Sequence, residues 1–181
     1  MESAIIKYNE AIIESGERVS KKLKVYIEST IPSYLVSRPS RDILTLAHQQ
    51  VTKEWWSTAH EKYLLFISPV VIDEITRGDQ KLAMHRLEIV KGIELLELTS
   101  EIEKLANIYM KRIGLPDTVY RDASHMAIAV IHNIDYLVTW NSTHIANEHV
   151  RRQLFKINAE YRYNTPMICT PEELISPKIH I

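Results

Sequence analysis

The fold of this chain is decided by the stretch Lys24-Val25-Tyr26-Ile27-Glu28-Ser29-Thr30-Ile31-Pro32-Ser33-Tyr34-Leu35. Its first four residues are mostly apolar and favour a β-strand, and a carboxylate, two hydroxyl residues and a proline follow closely. An ionised Glu28 inside a buried strand would be costly unless it were paired or bound to a metal. At the carboxyl end of the strand it would project into the crevice where open α/β sheets bind ligands. Glu28 is therefore either a functional carboxylate or simply the residue at which the strand leaves the core.

Length and composition indicate one globular domain. The chain has 181 residues, of which 45% are hydrophobic and 25% charged, and its formal net charge is −1. This balance gives no overall attraction to nucleic acid, so RNA or DNA binding must depend on local patches. The single Cys169 excludes an intrachain disulfide framework and fits a reducing compartment. No apolar run approaches the roughly 18 residues that span a bilayer. The N-terminus also lacks the apolar core of a secretory signal. We therefore expect a cytoplasmic protein with no membrane association.

Predicted strands and helices alternate along most of the chain. Strands are expected at residues 24–27, 63–67, 93–98, 136–139 and 167–169. Helices are expected at residues 41–60, in a short segment after Ser68-Pro69, and at residues 80–91, 100–114, 118–132 and 147–161. Such βα units predict an α/β protein, a three-layer α/β/α sandwich around a central, mainly parallel sheet. Residues 1–23 are expected to form a helical extension and residues 176–181 a short tail, which leaves residues 24–175 as the domain.

Two helix starts and one helix face are predicted in more detail. Ser40 is expected to cap the helix at 41–60, and Ser100 is expected to form a capping box with Glu103. The buried face of the first of these helices is expected to be an apolar stripe formed by Ile43, Leu44, Ala47, Val51, Trp55 and Ala59.

Two further acids interrupt apolar helix faces. Asp122 lies three residues after Val119 and four before Met126, so it is expected to point with the apolar stripe of its helix. Glu74 follows Val70 and Val71 by four and three residues and repeats the pattern. Either acid also has an ordinary explanation: Asp122 suits the first turn of a helix, and Glu74 could pair with Arg77 three residues later.

Together with Glu28, these acids predict a metal site. Three carboxylates in one crevice repel one another unless a cation neutralises them, and an all-oxygen cluster suits Mg²⁺ or Mn²⁺. Asn141 follows the fourth strand and either faces the same crevice or is a turn residue.

The order of these motifs resembles the PIN-domain ribonucleases, and most closely the VapC-like toxins of prokaryotic toxin–antitoxin pairs. The matching segments are Val25-Tyr26-Ile27-Glu28-Ser29-Thr30, Ser68-Pro69-Val70-Val71-Ile72-Asp73-Glu74, Arg121-Asp122-Ala123-Ser124-His125-Met126-Ala127-Ile128-Ala129, Tyr136-Leu137-Val138-Thr139-Trp140-Asn141 and Ile168-Cys169-Thr170-Pro171-Glu172-Glu173-Leu174. The resemblance runs from about residue 24 to residue 174 and implies the same three-layer fold.

The resemblance also implies metal-dependent hydrolysis of RNA phosphodiesters. Glu28, Glu74 and Asp122 correspond to the first three metal-binding acids, and Asn141 would orient a metal-bound water. Two departures matter: the first acid is usually Asp, and the fourth position is commonly acidic. A well-held first Mg²⁺ or Mn²⁺ and a weak second ion are therefore expected.

Further contacts are expected around this site. Ser29 and Thr30 are expected to bind a metal-bound water or a phosphate oxygen, and Arg38 and Arg41 to contact RNA. A later basic group either touches phosphate or is a solvated helix face: Arg151, Arg152, Lys156 and Arg162. His125 is expected to fill space beside the sheet rather than bind metal.

The resemblance implies a homodimer that a cognate antitoxin silences. Trp55 and Trp56 cannot both face one stripe of their helix, so one serves an interface or the helix is buried between neighbouring elements.

Two alternatives remain at the level of sequence. Because Asn141 replaces an acid, the chain could be a catalytically degenerate PIN-like module that binds RNA or a protein without cleavage. A nucleotide-binding or oxidoreductase domain is disfavoured, since the chain lacks Gly-x-Gly-x-x-Gly and Gly-x-x-x-x-Gly-Lys-Ser/Thr motifs and has only four glycines.

Overall fold

A computed structural model of the chain describes residues 22–175. Five parallel strands form one sheet in the order β3-β2-β1-β4-β5. The strands are β1 Leu23–Ile27, β2 Tyr63–Ile67, β3 Glu94–Leu95, β4 Tyr136–Val138 and β5 Met167–Cys169. The α-helices are α1 Thr30–Val36, α2 Ile43–Lys62, α3 Pro69–Ile75, α4 Gln80–Val90, α5 Ser100–Tyr109, α6 Tyr120–Ile131 and α7 Glu148–Glu160. A π-helical turn, Met110–Gly114, extends α5, and 3-10 turns lie at Asp117–Val119 and Glu172–Leu174.

The central position of β1 in the sheet explains why its sequence is a continuous apolar run. β1 lies between β2 and β4, and Val25, Tyr26 and Ile27 have no exposed surface. Parallel strands need crossover connections, and right-handed crossovers place helices on both faces of the sheet. Both faces of β1 are therefore covered, and such strands carry apolar residues at successive positions rather than alternating ones. The predicted three-layer α/β/α sandwich is confirmed.

Side-chain caps define where most helices begin. Ser68 and Asp79 cap α3 and α4 as their sequences indicate, and Asn147 caps α7. Two predicted caps are wrong. Asp42, not Ser40, accepts the Thr45 backbone N–H at the start of α2.

The second wrong cap is at α5. Thr99 accepts the Ile102 N–H there, and Ser100 is already the first helical residue. In both places two nearby residues can act as caps, and tertiary geometry selects one of them.

The predicted buried face of α2 is wrong in its first half. Ile43 and Leu44 are 84% and 65% exposed, and Ala47 is exposed as well. The buried positions of α2 are Gln49, Thr52, Trp55 and Ala59. Trp56 is half-buried and packs against Trp55 and His60. The predicted apolar stripe coincides with the buried face of α2 only from Trp55 onward, because the first turns of α2 extend past the core.

The sequence did not predict α1, because a seven-residue segment that contains Pro32 carries little helical periodicity. The remaining differences concern element ends. The third strand is limited to Glu94–Leu95, and the fourth ends at Val138. The helical extension was predicted for residues 1–23, of which residues 1–21 lie outside the described residues, and Leu23 is already the first residue of β1. The predicted tail at 176–181 also lies outside the described residues. The domain boundaries thus remain predictions. Among residues 22–175, no helix is long and apolar enough to cross a membrane.

Candidate metal centre

The parallel pairing of β1 and β4 brings together residues that are far apart in sequence. Ile27 is opposite Val138, and the Glu28 backbone N–H donates to the Val138 carbonyl at 3.1 Å. Glu28 and Thr139 therefore leave the same edge of the sheet side by side. This edge, at the carboxyl ends of the strands, is where α/β proteins commonly bind their ligands.

Glu28 is 3% exposed, and its carboxylate is surrounded by donors. The Ser29 hydroxyl donates to Oε1 at 2.8 Å, and the Thr139 hydroxyl donates to Oε2 at 2.8 Å. Thr30 donates to Oε2 twice, from its backbone N–H at 3.0 Å and from its hydroxyl. These bonds compensate the carboxylate for the water that it loses on burial.

Glu74 reaches the centre from the last turn of α3. Its Oε2 lies 2.9 Å from Nε2 of the fully buried His125 on α6. Partial burial opposes ionisation of Glu74, but its hydrogen bond to His125 and the charge of that ring outweigh burial and lower the pKa of Glu74. Burial likewise disfavours a charged His125, and the Glu74 hydrogen bond with the surrounding carboxylates nevertheless raises the pKa of His125.

The ligand atoms of Glu28, Glu74 and His125 lie within 4.8 Å of one another. Asp122, in the first turn of α6, is half-buried and hydrogen-bonds the Asn141 side chain. Burial is the main cause that raises the pKa of Asp122, and repulsion from Glu28 adds to it. Asp122 thus lies beside the cluster of Glu28, Glu74 and His125, and the negative charge of Glu28 acts on it.

The donor chemistry of this centre fits a hard divalent cation. Carboxylates at three positions, Glu28, Glu74 and the neighbouring Asp122, are ligands that Mg²⁺ and Mn²⁺ accept. A bound cation would also neutralise the repulsion that Asp122 experiences from Glu28.

The structure brings together six of the predicted site residues. Ser29 and Thr30 both donate to the Glu28 carboxylate, and the nearby Ser29 hydroxyl also contributes to the lowered pKa of Glu74. Asn141 is held on both sides: its Oδ1 accepts the His144 N–H at 3.0 Å, and its own N–H donates to the Thr139 hydroxyl at 2.9 Å. The full set around the centre is Glu28, Ser29, Thr30, Glu74, Asp122 and Asn141.

The predicted RNA-binding arginines lie elsewhere. Arg38 and Arg41 are exposed on the segment between α1 and α2, and the Arg38 carbonyl accepts the Gln49 side-chain amide. Arg151 serves packing, since its guanidinium donates to the carbonyls of Ala146 and Ile168. Arg152 lies 3.9 Å from Glu148 on the same helix.

The sequence did not reveal three polar partners of the centre. The Tyr26 hydroxyl lies 2.6 Å from Ser68 Oγ and 2.8 Å from His125 Nδ1, inside the core. Thr139, named only as a strand residue, bonds Glu28. His125 does fill space beside the sheet, but both of its ring nitrogens are hydrogen-bonded. A tyrosine inside an otherwise apolar strand was the one signal that pointed to this network.

Comparison with known proteins supports the fold. No protein-family profile and no curated protein sequence matches this chain. A solved structure that matches it is VapC20 of Mycobacterium tuberculosis, a toxin that cleaves the sarcin–ricin loop. The match has a TM-score of 0.52 at 17% sequence identity and covers 66% of this chain and 91% of that toxin. Residues 22–175, with an all-parallel five-stranded sheet and seven α-helices, therefore have a PIN-like fold.

Proposed function

We propose that this protein is a metal-dependent ribonuclease that hydrolyses RNA phosphodiester bonds with Mg²⁺ or Mn²⁺. The observation that carries the proposal is that ligand atoms of Glu28, Glu74 and His125 lie within 4.8 Å of one another, with Asp122 close enough to feel the charges of Glu28 and His125. Hydrogen bonds compensate the burial of Glu28 itself, but three carboxylates in one place repel one another, and a bound cation relieves that repulsion. The similarity of fold to a toxin that cleaves RNA supports the same reaction class.

In this proposal Glu28, Glu74 and Asp122 hold the cation. When bound, the cation supplies a water of lowered pKa and positive charge for the phosphate oxygens. Ser29, Thr30 and Thr139 fix the Glu28 carboxylate by the hydrogen bonds that they donate. Asn141, fixed by His144 and bonded to Asp122, orients the attacking water. Arg38 and Arg41 would bind the RNA backbone beyond the reacting phosphate.

The test is an RNA cleavage assay with purified protein. We expect cleavage in Mn²⁺ or Mg²⁺, none in EDTA, and a loss of at least ~100-fold in Asp122→Asn. Asp117→Asn is the matched control, because Asp117 is an exposed acid just before the same helix. Cleavage that survives both EDTA and Asp122→Asn would exclude the proposed mechanism.

A second candidate is a PIN-like module that binds RNA or a protein without cleavage. Asn141 favours it, since an amide at this position removes one negative charge from the centre. Calorimetric titration of the protein with Mn²⁺ separates the two candidates. The nuclease should bind the ion with a defined stoichiometry, whereas an absence of binding favours the inactive module.

We further propose that the protein is a toxin of a toxin–antitoxin pair, acts in the cytoplasm as a homodimer and is silenced by a cognate antitoxin. The exposed apolar residues Ile43, Leu44 and Leu46 at the start of α2 support a protein interface there. Light scattering during size exclusion should give twice the mass of one chain, and Leu44→Glu should reduce it to one chain if this face is the dimer contact.

A further inference from the structure

A buried chain of polar side chains runs from the start of α3 to the proposed metal ligand Glu74. Ser68 Oγ lies 2.6 Å from the Tyr26 hydroxyl, which lies 2.8 Å from Nδ1 of His125. Nε2 of the same ring lies 2.9 Å from Glu74 Oε2. Ser68, Tyr26 and His125 are each fully buried. Polar groups in such a place are retained in folded proteins when each is hydrogen-bonded, as these are.

The hydrogen positions along this chain decide what Nε2 of His125 can do at Glu74. The Tyr26 hydroxyl has one hydrogen, which it gives either to Nδ1 of His125 or to Ser68 Oγ. If Tyr26 donates to Nδ1, or if His125 is doubly protonated and donates to Tyr26, Nε2 carries a hydrogen and donates it to the Glu74 carboxylate. In the remaining neutral tautomer Nδ1 carries the hydrogen, and Nε2 offers a lone pair instead.

We propose that His125 and Tyr26 are positioning residues that hold the Glu74 carboxylate toward the metal centre. The inference rests on the proposed function, in which Glu74 is a metal ligand. Glu74 is half-buried on a helix of seven residues, and among the described residues only the Ser29 hydroxyl lies near it, whereas three hydroxyls donate to Glu28. His125 supplies the missing restraint, because its ring is packed on all sides and is held at Nδ1 by Tyr26. Such outer partners of metal ligands change metal affinity or activity by about 10- to 100-fold when they are removed.

The same geometry has a competing interpretation in which His125 is itself a metal ligand. Its Nε2 lies within 4.8 Å of carboxylate oxygens of Glu28 and Glu74. A nitrogen that donates its hydrogen to Glu74 has no lone pair for a cation, so the two roles exclude each other. The state of Nε2 with the ion bound therefore decides between them.

The experiment uses Mn²⁺ as the probe and four variants of the full chain. His125→Leu removes the donor, and His125→Gln keeps an N–H that can reach Glu74. Tyr26→Phe removes only the hydroxyl that fixes the ring. Tyr109→Phe is the matched control, because Tyr109 is an equally buried tyrosine whose hydroxyl bonds Asn158, which is not part of the metal centre. Mn²⁺ affinity is measured by calorimetry, and nitrogen coordination of the bound ion by electron spin-echo spectroscopy.

We expect His125→Leu to lower Mn²⁺ affinity by about 10- to 100-fold, His125→Gln to recover most of it, and Tyr26→Phe to lower it by several-fold. Tyr109→Phe should bind Mn²⁺ like the parent chain, and the parent's bound ion should show no directly coordinated nitrogen. If His125→Leu does not fold, Tyr26→Phe still tests the inference, because it retains the ring and the packing.

Two outcomes overturn the inference and leave the proposed function intact. The first is a nitrogen ligand on Mn²⁺ that disappears in His125→Gln, which would make His125 a ligand. The second is unchanged Mn²⁺ affinity in Tyr26→Phe and in a folded His125→Leu, while the parent chain binds Mn²⁺ and cleaves RNA. A parent chain that binds no Mn²⁺ removes the proposed function and this inference together.

Discussion

Glu28 is one methylene longer than an aspartate at the same position would be, and its hydrogen-bond donors are placed for that length. Its carboxylate reaches the hydroxyls of Ser29, Thr30 and Thr139 at the same time. Thr30 is also tied to the neighbouring loop, because its hydroxyl accepts the Trp140 backbone N–H at 2.9 Å. The hydroxyl positions are therefore set by the backbone and cannot easily follow a shorter side chain.

Glu28→Asp should consequently weaken the metal centre rather than restore a more usual one. We expect Mn²⁺ affinity to fall by roughly 10-fold and cleavage to remain measurable, since a carboxylate is still present but loses part of its support. Glu28→Ala should abolish both. Calorimetry and RNA cleavage measure the two effects, and Glu94→Asp, on the exposed edge strand, is the control. Indifference of cleavage to Glu28→Ala would remove Glu28 from the centre.

We expect the ionised Asp122 side chain to destabilise the metal-free protein. Burial raises the pKa of Asp122, so its protonated form is favoured by folding. A carboxyl group with a raised pKa contributes its stability at low pH and loses it as the pH rises through the folded-state pKa. In EDTA at pH 7, Asp122→Asn should therefore raise the melting temperature, by about 2–4 °C for each ~1 kcal/mol of repulsion removed.

The difference in melting temperature between Asp122→Asn and the parent chain should shrink as the pH is lowered through the folded-state pKa of Asp122, because the parent carboxyl then gains its proton. Added Mn²⁺ should stabilise the parent chain more than the variant. Scanning calorimetry at several pH values, with and without Mn²⁺, checks all three expectations. If Asp122→Asn melts at a lower temperature than the parent in EDTA at pH 7, the ionised Asp122 carboxylate does not destabilise the metal-free protein.

At the scale of elements, the sequence was most informative where an apolar run has sharp ends. β2 and β5 occupy exactly the segments expected of them, because polar or turn-forming residues bound each run. Helix starts were less certain, since Ser40 and Asp42, or Thr99 and Ser100, are equally good caps by sequence. Which residue caps depends on where the preceding chain leaves the sheet, and local sequence does not contain that information.

The face of α2 shows the same limit and can be tested directly. Ile43 is 84% exposed and Trp55 is 2% exposed, although both belong to one apolar stripe in the sequence. We expect Ile43→Ser to change the free energy of unfolding by less than about 0.5 kcal/mol in a monomeric sample. Trp55→Ala should cost about 3–5 kcal/mol, because it leaves a cavity in the core.

Urea unfolding followed by circular dichroism measures both changes. A large loss of stability in Ile43→Ser that is independent of protein concentration would place this turn of α2 against the core. A loss that depends on concentration would instead indicate an interface between two copies of the chain.

At the scale of the whole molecule, the topology assembles a site that no single segment contains. Thr139 is 111 residues from Glu28, and they meet because β1 and β4 are neighbours in the sheet. A parallel sheet could be predicted from alternating strands and helices, and with it the edge at which Glu28, Glu74 and Asp122 gather. The contacts among Tyr26, Ser68 and His125 could not be predicted, because they depend on strand order and on helix rotation.

The buried thiol of Cys169 offers a test of how the sheet opens as a unit. Cys169 is 1% exposed in β5, next to the β4 residues that lead into the metal centre. Burial, with a smaller effect of Glu173, raises the pKa of Cys169 to about 12. Only the thiolate reacts with disulfide reagents, so the native thiol should be inert at pH 8.

Labelling of Cys169 by a disulfide reagent should therefore proceed at the rate at which the sheet opens, and urea should accelerate it in step with unfolding. Phe155→Cys in the same chain provides the control, because position 155 is 65% exposed on α7 and a thiol there should react at once. If Mn²⁺ binds at the adjoining ends of β1 and β4, it should slow the labelling of Cys169 and leave that of position 155 unchanged. Rapid labelling of Cys169 in the native protein would contradict the placement of β5 in a closed sheet.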